Sequence, residues 1–152
     1  MKWTKGYELF DRPLPLKAPE LAMSENWPAL DELMQATVHT ELKLFLHQFK
    51  KFDSIEHMLA IRNGDDLEEE DGIWHDDSSR VLAFSWSMNF WGLPTGGTLG
   101  IREFGKKEIE LGPYPPGTLI VFNTGIDGFE HRTSRVQKGR RLVCAGWCSL
   151  EK

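Results

Sequence analysis

Only two cysteines occur in the 152 residues, acidic side chains outnumber basic ones by 23 to 18, and no run of about 18 apolar residues, the length that spans a bilayer, is present. Each shortage removes a class of protein. Cys144 and Cys148 lie four apart in a segment that reads as a strand, which would hold their α-carbons about 13 Å apart, beyond disulfide reach. They also lack two further ligands nearby for zinc, which leaves them as reduced core thiols. A formal net charge of -5 supplies no general attraction to nucleic acid or an anionic membrane, so neither is expected as a partner. The first eight residues, Met1 to Glu8, contain no apolar core of a secretory signal, and the expected location is the cytoplasm. With 14 Gly, 8 Pro, 40% hydrophobic and 27% charged residues, the chain has the balance of a folded globular protein.

A chain of about 150 residues buries roughly 70% of the surface its unfolded form exposes, enough for one domain without staples. We read a single domain over 1–152, with residues 1–55 as an arm and helical support and 56–149 as the strand-rich core. Pro13, Pro15, Pro19 and Pro28 crowd the beginning and predict an extended arm. Ser24 to Pro28 predicts a helix start, with Pro28 in the first turn, where its missing N–H costs nothing. Leu30, Leu33, Met34 and Val38 keep helical spacing. Leu42, Phe45, Leu46 and Phe49 continue it past the β-branched Thr37, Val38 and Thr40, giving one bent helix or two short ones. Beyond Asp53, short strands over 56–62, 73–77, 81–89, 98–104, 108–111, 118–122, 130–136 and 142–149 alternate with turn residues. Eight strands with no helix among them predict a mainly β jelly roll or small barrel. The acidic run 65–71 reads as a solvated loop, or as negative charge beside a site.

Three side chains of the metal-ligand type stand out: His75 and Asp77 at spacing i, i+2, and His131 far downstream. On a strand, i and i+2 point to one face about 6.6 Å apart, so imidazole and carboxylate can converge on one ion. Two histidines and a carboxylate on one side of a metal leave the other side open, the arrangement of non-haem Fe(II) and O₂ chemistry. The spacing alone is common, and the accompanying motifs make it specific. Trp74-His75-Asp76-Asp77, then Thr95-Gly96-Gly97-Thr98-Leu99, Pro116-Gly117-Thr118-Leu119-Ile120-Val121-Phe122, and His131 followed by Val136, Gly139, Arg140, Arg141 and Gly146-Trp147 together resemble the Fe(II)- and 2-oxoglutarate-dependent oxygenases, prolyl-hydroxylase-like branch. The resemblance covers about residues 56–149.

It implies a double-stranded β-helix, a jelly roll of the cupin-like kind; the apolar stripe of the preceding helix needs a sheet to cover, so the arm and helix are read as packed on one sheet. It further implies that His75, Asp77 and His131 hold Fe(II) as the catalytic centre, that 2-oxoglutarate is the cosubstrate, and that O₂ is the oxidant. The basic residue ten after the distal His, Arg141, is implied to bind the distal carboxylate of 2-oxoglutarate. A planar guanidinium suits that task, because it stays charged and pairs bidentately with a carboxylate. Alternation from Arg141 sends Val143, Ala145 and Trp147 toward the pocket, and Cys144 and Cys148 to the opposite face; Arg140 also points away. Ser87, Trp147, Asn63 and Leu99 are the further candidate cosubstrate contacts. Ser87 and Asn63 stand where many family members carry tyrosine, and Val143 stands where some carry serine. Asp76 and Asn123 are candidate partners for a ligand imidazole.

The remaining histidines, His39, His47 and His57, have no partner at ligand spacing and are assigned to the surface or to helix packing. Trp86 and Trp91 are either core or mouth residues, Arg62 and Arg102 are read as surface ion pairs, and Arg132, Arg135, Lys138 and Arg140 as a solvated basic edge. The implied activity is hydroxylation of a C–H bond of a prolyl, amino-acid or peptide-type substrate, with release of succinate and CO₂. The alternatives are a cupin-like metal enzyme that does not use 2-oxoglutarate, in which Arg141 would be idle, and a non-catalytic jelly-roll binding module.

Overall fold

The computed structural model describes residues 5–64, 74, 79–125 and 128–151. Three helices, α1 (Ala18–Met23), α2 (Trp27–Thr37) and α3 (Lys43–Leu46), follow a first strand, β1 (Tyr7–Asp11). The rest is strand: β2 (Ser54–Asn63), β3 (Arg80–Ser87), β4 (Thr95–Gly96), β5 (Leu99–Arg102), β6 (Ile109–Leu111), β7 (Thr118–Asn123), β8 (Glu130–Thr133), β9 (Val136–Lys138) and β10 (Arg140–Ser149). A five-stranded major sheet runs in the order β1-β7-β3-β10-β2, a minor sheet in the order β6-β5-β8, and β4 pairs with β9. The pairings among the described residues are antiparallel. The two sheets are those of a jelly roll, as expected.

The helices exist because one face of the major sheet needs a cover. Asn26 caps α2, its side chain accepting from Ala29 N at 3.4 Å, with Pro28 in the first turn. Leu30, Met34, Val38, Leu42 and Leu46 recur every fourth residue and are fully buried. At 3.6 residues per turn such a stripe rotates by about 40° per step. The helix offsets part of that drift by widening into a π-turn over Val38–Leu42, so α2 and α3 form one continuous helical stretch. Thr37 Oγ1 donates to Leu33 O (2.9 Å) and Thr40 Oγ1 to Ala36 O (2.8 Å) at this point. The stripe covers Leu82, Phe84 and Trp86 of β3 and Leu142, Cys144 and Cys148 of β10. Both thiols are reduced, and burial pushes each up to about 12. Trp86 is thereby a core residue, with Nε1 donating to Arg12 O at 2.9 Å. Trp91 packs on Trp27 and beneath the Arg140 guanidinium.

Three expectations are corrected. The proline-rich arm is extended only in part: Tyr7–Asp11 is a strand paired with β7, whereas Ala18–Met23 is helical, because Pro19 falls in the first turn where it is harmless. Residues 130–136 are not one strand. Ser134 turns aside to hold Thr98, its Oγ accepting from Thr98 N at 2.9 Å and its N donating to Thr98 O at 2.9 Å, and β9 begins after that break. Thr95–Gly96, read as turn, pairs with β9. The expected strand 73–77, except Trp74, and the acidic run 65–71 lie outside the described residues. No helix among the described residues is long and apolar enough to cross a membrane.

Candidate active site

Side chains on the inner face of the major sheet are small where they face the minor sheet. Ala83 and Ser85 on β3, Ala60 on β2 and Ala145 on β10 share that face, Ser85 opposite Ala145, Ala83 opposite Trp147 and Ala60 opposite Val143. Small residues on this face leave room between the two sheets. The gap is a cavity of about 350 Å³, near the lower end of what small-molecule sites occupy.

His131 and Arg141 enter it from opposite walls. His131 projects from β8, opposite Ile101 on β5, with its ring edge-on to Phe122 at 5.3 Å between centroids. Arg141 projects from β10 and is only 6% exposed. Its stem needs Gly97, whose φ is +68° and where an added Cβ would stand 2.8 Å from Arg141 Cδ. Beyond Arg141 the cavity continues into a small recess lined by Ser87, Asn89, Gly97 and Tyr114. Asn89 closes this end, its Nδ2 donating to Tyr114 O (2.8 Å) and its Oδ1 accepting from Leu142 N (2.9 Å). Truncating a buried side chain with two hydrogen bonds leaves two backbone groups unsatisfied. Asn89→Ala is therefore expected to cost about 2 to 4 kcal/mol in denaturant unfolding, and a loss below about 0.5 kcal/mol would refute that role.

The alternation expected on β10 is observed: Arg141, Val143, Ala145 and Trp147 line the cavity, and Cys144 and Cys148 lie under the helices. Trp147 forms a wall at the mouth, with Nε1 donating to Glu56 Oε2 at 2.7 Å and the Arg80 guanidinium 3.6 Å above its ring. Leu99 lines both the cavity and the recess, and Ser87 the recess. Asn63 stands apart. Its Oδ1 accepts from Arg140 Nε at 2.9 Å, and it lines neither space, so it is not carried forward as a cosubstrate contact. Arg140 itself points away, paired with Glu25 at 3.0 Å.

Arg62 is the clearest revision among the basic residues. It was expected in a surface pair, yet it faces the cavity from β2, directly opposite Arg141. Arg80, Thr133 and Tyr114 were not anticipated at all. A signal for Arg62 exists only once the β2–β10 register is known. Arg102 does form the expected pair, with Glu130. Asn123 lies on the face of β7 opposite to Phe122, with its buried Oδ1 making no hydrogen bond among the described residues. His57 bonds Asp31 of α2 (3.1 Å) and His47 stacks on Phe52 (3.9 Å), both packing roles.

His75 and Asp77 lie outside the described residues, and among the described ones no three His, Cys, Asp or Glu side chains gather as a metal site. What is described fits the expected groups: an imidazole on one wall of a cavity and, on the other, a buried guanidinium whose stem occupies the space left by a missing Cβ.

No protein-family model matches the chain, and no curated protein matches it by sequence. Solved structures do match. A prolyl-4-hydroxylase from Pseudomonas putida is 20% identical with a TM-score of 0.62, covering 96% of this chain and 86% of its own. A prolyl hydroxylase from Trichoplax adhaerens, solved with a hypoxia inducible factor peptide fragment, is 13% identical with a TM-score of 0.68 over 96% and 84% of the two chains. A viral collagen prolyl hydroxylase from Paramecium Bursaria Chlorella virus-1, solved as a 2-oxoglutarate complex, is 17% identical with a TM-score of 0.63 over 97% of both. At these identities the likeness is one of architecture: the chain has the fold of the prolyl hydroxylases.

Proposed function

We propose that the protein is an Fe(II)- and 2-oxoglutarate-dependent dioxygenase that hydroxylates a C–H bond of a prolyl, amino-acid or peptide-type substrate. The observation that carries this reading is the pairing of His131 and the buried Arg141 across one cavity between the sheets. The fold shared with prolyl hydroxylases supports it, one of which is solved as a 2-oxoglutarate complex and another with a peptide.

In this reading His131, with His75 and Asp77, would hold Fe(II). When bound, the metal and cosubstrate would supply the oxidising chemistry with O₂, one oxygen atom entering succinate as 2-oxoglutarate loses CO₂ and the other entering the hydroxylated C–H bond. The chain's own residues bind and orient. Arg141 meets the distal carboxylate in a site where water is scarce, which strengthens the pairing. Ser87 and Tyr114 flank it from the recess. Leu99, Phe122 and Val143 give the cavity apolar wall between the polar side chains that line it. Trp147, fixed by Glu56 and Arg80, walls the mouth where a substrate approaches.

Adding Fe(II) and 2-oxoglutarate without oxygen to the purified protein is expected to give the visible charge-transfer band of a keto acid bound to iron. His131→Ala should lose it. A wild-type protein that stays colourless under saturating additions would overturn the assignment.

A further inference from the structure

We propose that Arg62 is a specificity-determining residue: with Arg141 it forms a two-guanidinium clamp for the distal carboxylate of the cosubstrate, which makes the site selective for a keto acid bearing a second acid group. The inference rests on the dioxygenase reading above. It starts from register. Arg62 on β2 is directly opposite Arg141 on β10, and both side chains line the cavity that His131 enters from the other wall. Directly opposite residues of an antiparallel pair have Cβ atoms about 4.5 to 5.5 Å apart, so the two side chains set out next to each other.

The end of β2 that carries Arg62 is held against β10 on both sides of the main chain. On the outer face the next pair in the register is Asn63 with Arg140, joined by the 2.9 Å hydrogen bond between their side chains. One residue further, Gly64 N donates to Gly139 O at 2.8 Å, and a Cβ added at Gly64 would stand 2.7 Å from Lys138 Cα. Arg62 therefore has a fixed base. Ala60, the next residue of β2 on the cavity face, is small and leaves the ground beside Arg62 open.

The ligand calls for more than one donor group. A carboxylate has two oxygens with about four lone-pair sites, of which a bidentate guanidinium fills two. Away from water the others need partners as well. A guanidinium carries five N–H donors, so Arg62 and Arg141 can share one carboxylate while keeping their further interactions within the protein. Arg141 is buried and also borders the recess, whereas Arg62 is half-buried and borders the cavity alone. Arg141 is the deeper jaw and Arg62 the outer one. Trp147, at the mouth, pairs with Glu56 near the other end of β2, which puts Arg62 at the cosubstrate end of the cavity.

The test titrates two keto acids into the full chain loaded anaerobically with Co(II), with affinity read by calorimetry. One is 2-oxoglutarate, and the other is 2-oxopentanoate, which has the same carbon chain without the distal carboxylate. Arg62→Gln is expected to weaken 2-oxoglutarate about tenfold, the scale of a hydrogen bond to a charged group, and to leave 2-oxopentanoate within about threefold of wild type. Arg62→Lys, which keeps the charge without the fork, should lose about threefold for 2-oxoglutarate alone, and it decides the matter if the Gln variant does not fold. Wild-type affinity for 2-oxoglutarate in these variants, alongside its loss in Arg141→Ala, would overturn the clamp and leave the cosubstrate site standing. Equal losses for the two keto acids would also overturn it, because Arg62 would then act through the shape of the cavity and not through the carboxylate. Wild-type protein that binds Co(II) but not 2-oxoglutarate would remove the dioxygenase reading, and the clamp with it.

Discussion

Arg141→Ala is expected to reduce 2-oxoglutarate affinity by about 30-fold or more while leaving Co(II) affinity close to wild type. The magnitude follows from burial. Arg141 is 6% exposed, and truncating one partner of a desolvated, hydrogen-bonded charge pair costs about 2 to 5 kcal/mol. Each 1.4 kcal/mol is tenfold in affinity. Arg141→Lys should recover part of the loss, because the ammonium restores the charge without the planar fork. The measurement is calorimetric titration of 2-oxoglutarate into metal-loaded protein. Unchanged affinity in Arg141→Ala would mean that the guanidinium has another purpose, and the cupin-like alternative without a keto acid would then be the better description.

Gly146→Ala should be among the most destabilising single substitutions in the strand framework. An added Cβ would stand 2.2 Å from the backbone oxygen of Glu56 and 2.4 Å from the Phe84 ring. Glu56 is on the neighbouring strand β2 and Phe84 faces the helix-covered core, so neither can swing aside. Overpacking a tight core costs about 1 to 3 kcal/mol, and contact with main chain belongs at the upper end. For a protein of this size that lowers the melting temperature by roughly 6 to 12 °C. A shift under about 2 °C would show that the β2–β10 pair yields more easily than its geometry indicates. Comparing turnover per folded molecule would then show whether the cavity wall moved with it.

What the sequence made legible was periodicity. On β10 the period of two separated Arg141, Val143, Ala145 and Trp147 from Cys144 and Cys148 without any knowledge of the partner strands. The recurrence of Leu30, Met34, Val38, Leu42 and Leu46 likewise marked the helical cover. Register was not legible. Arg62 joins Arg141 in the cavity only because β2 pairs with β10 at that offset, and Tyr114 reaches the recess only because Asn89 holds its carbonyl. Strand β1 escaped notice for a related reason: Tyr7–Asp11 is a short edge element defined by what it pairs with, beside prolines that read as extended chain. Asn63 was selected by position relative to a motif, and position along the chain carries no information about the Arg140 side chain that engages it.

The place of β10 in the major sheet has a kinetic consequence. It follows every other strand in the chain, yet it lies between β3 and β2. Among the described residues β2 has no other neighbour in that sheet, and β1 must likewise wait for β7, Tyr7 meeting Phe122 across most of the chain length. Neither edge can be completed locally as the chain emerges. Domains dominated by such distant pairings typically fold in milliseconds to seconds, because loop closure precedes the contacts that reward it. During that interval the helical stripe has no sheet to cover, and its leucines are the surface on which a chaperone, or another unfolded copy, would act.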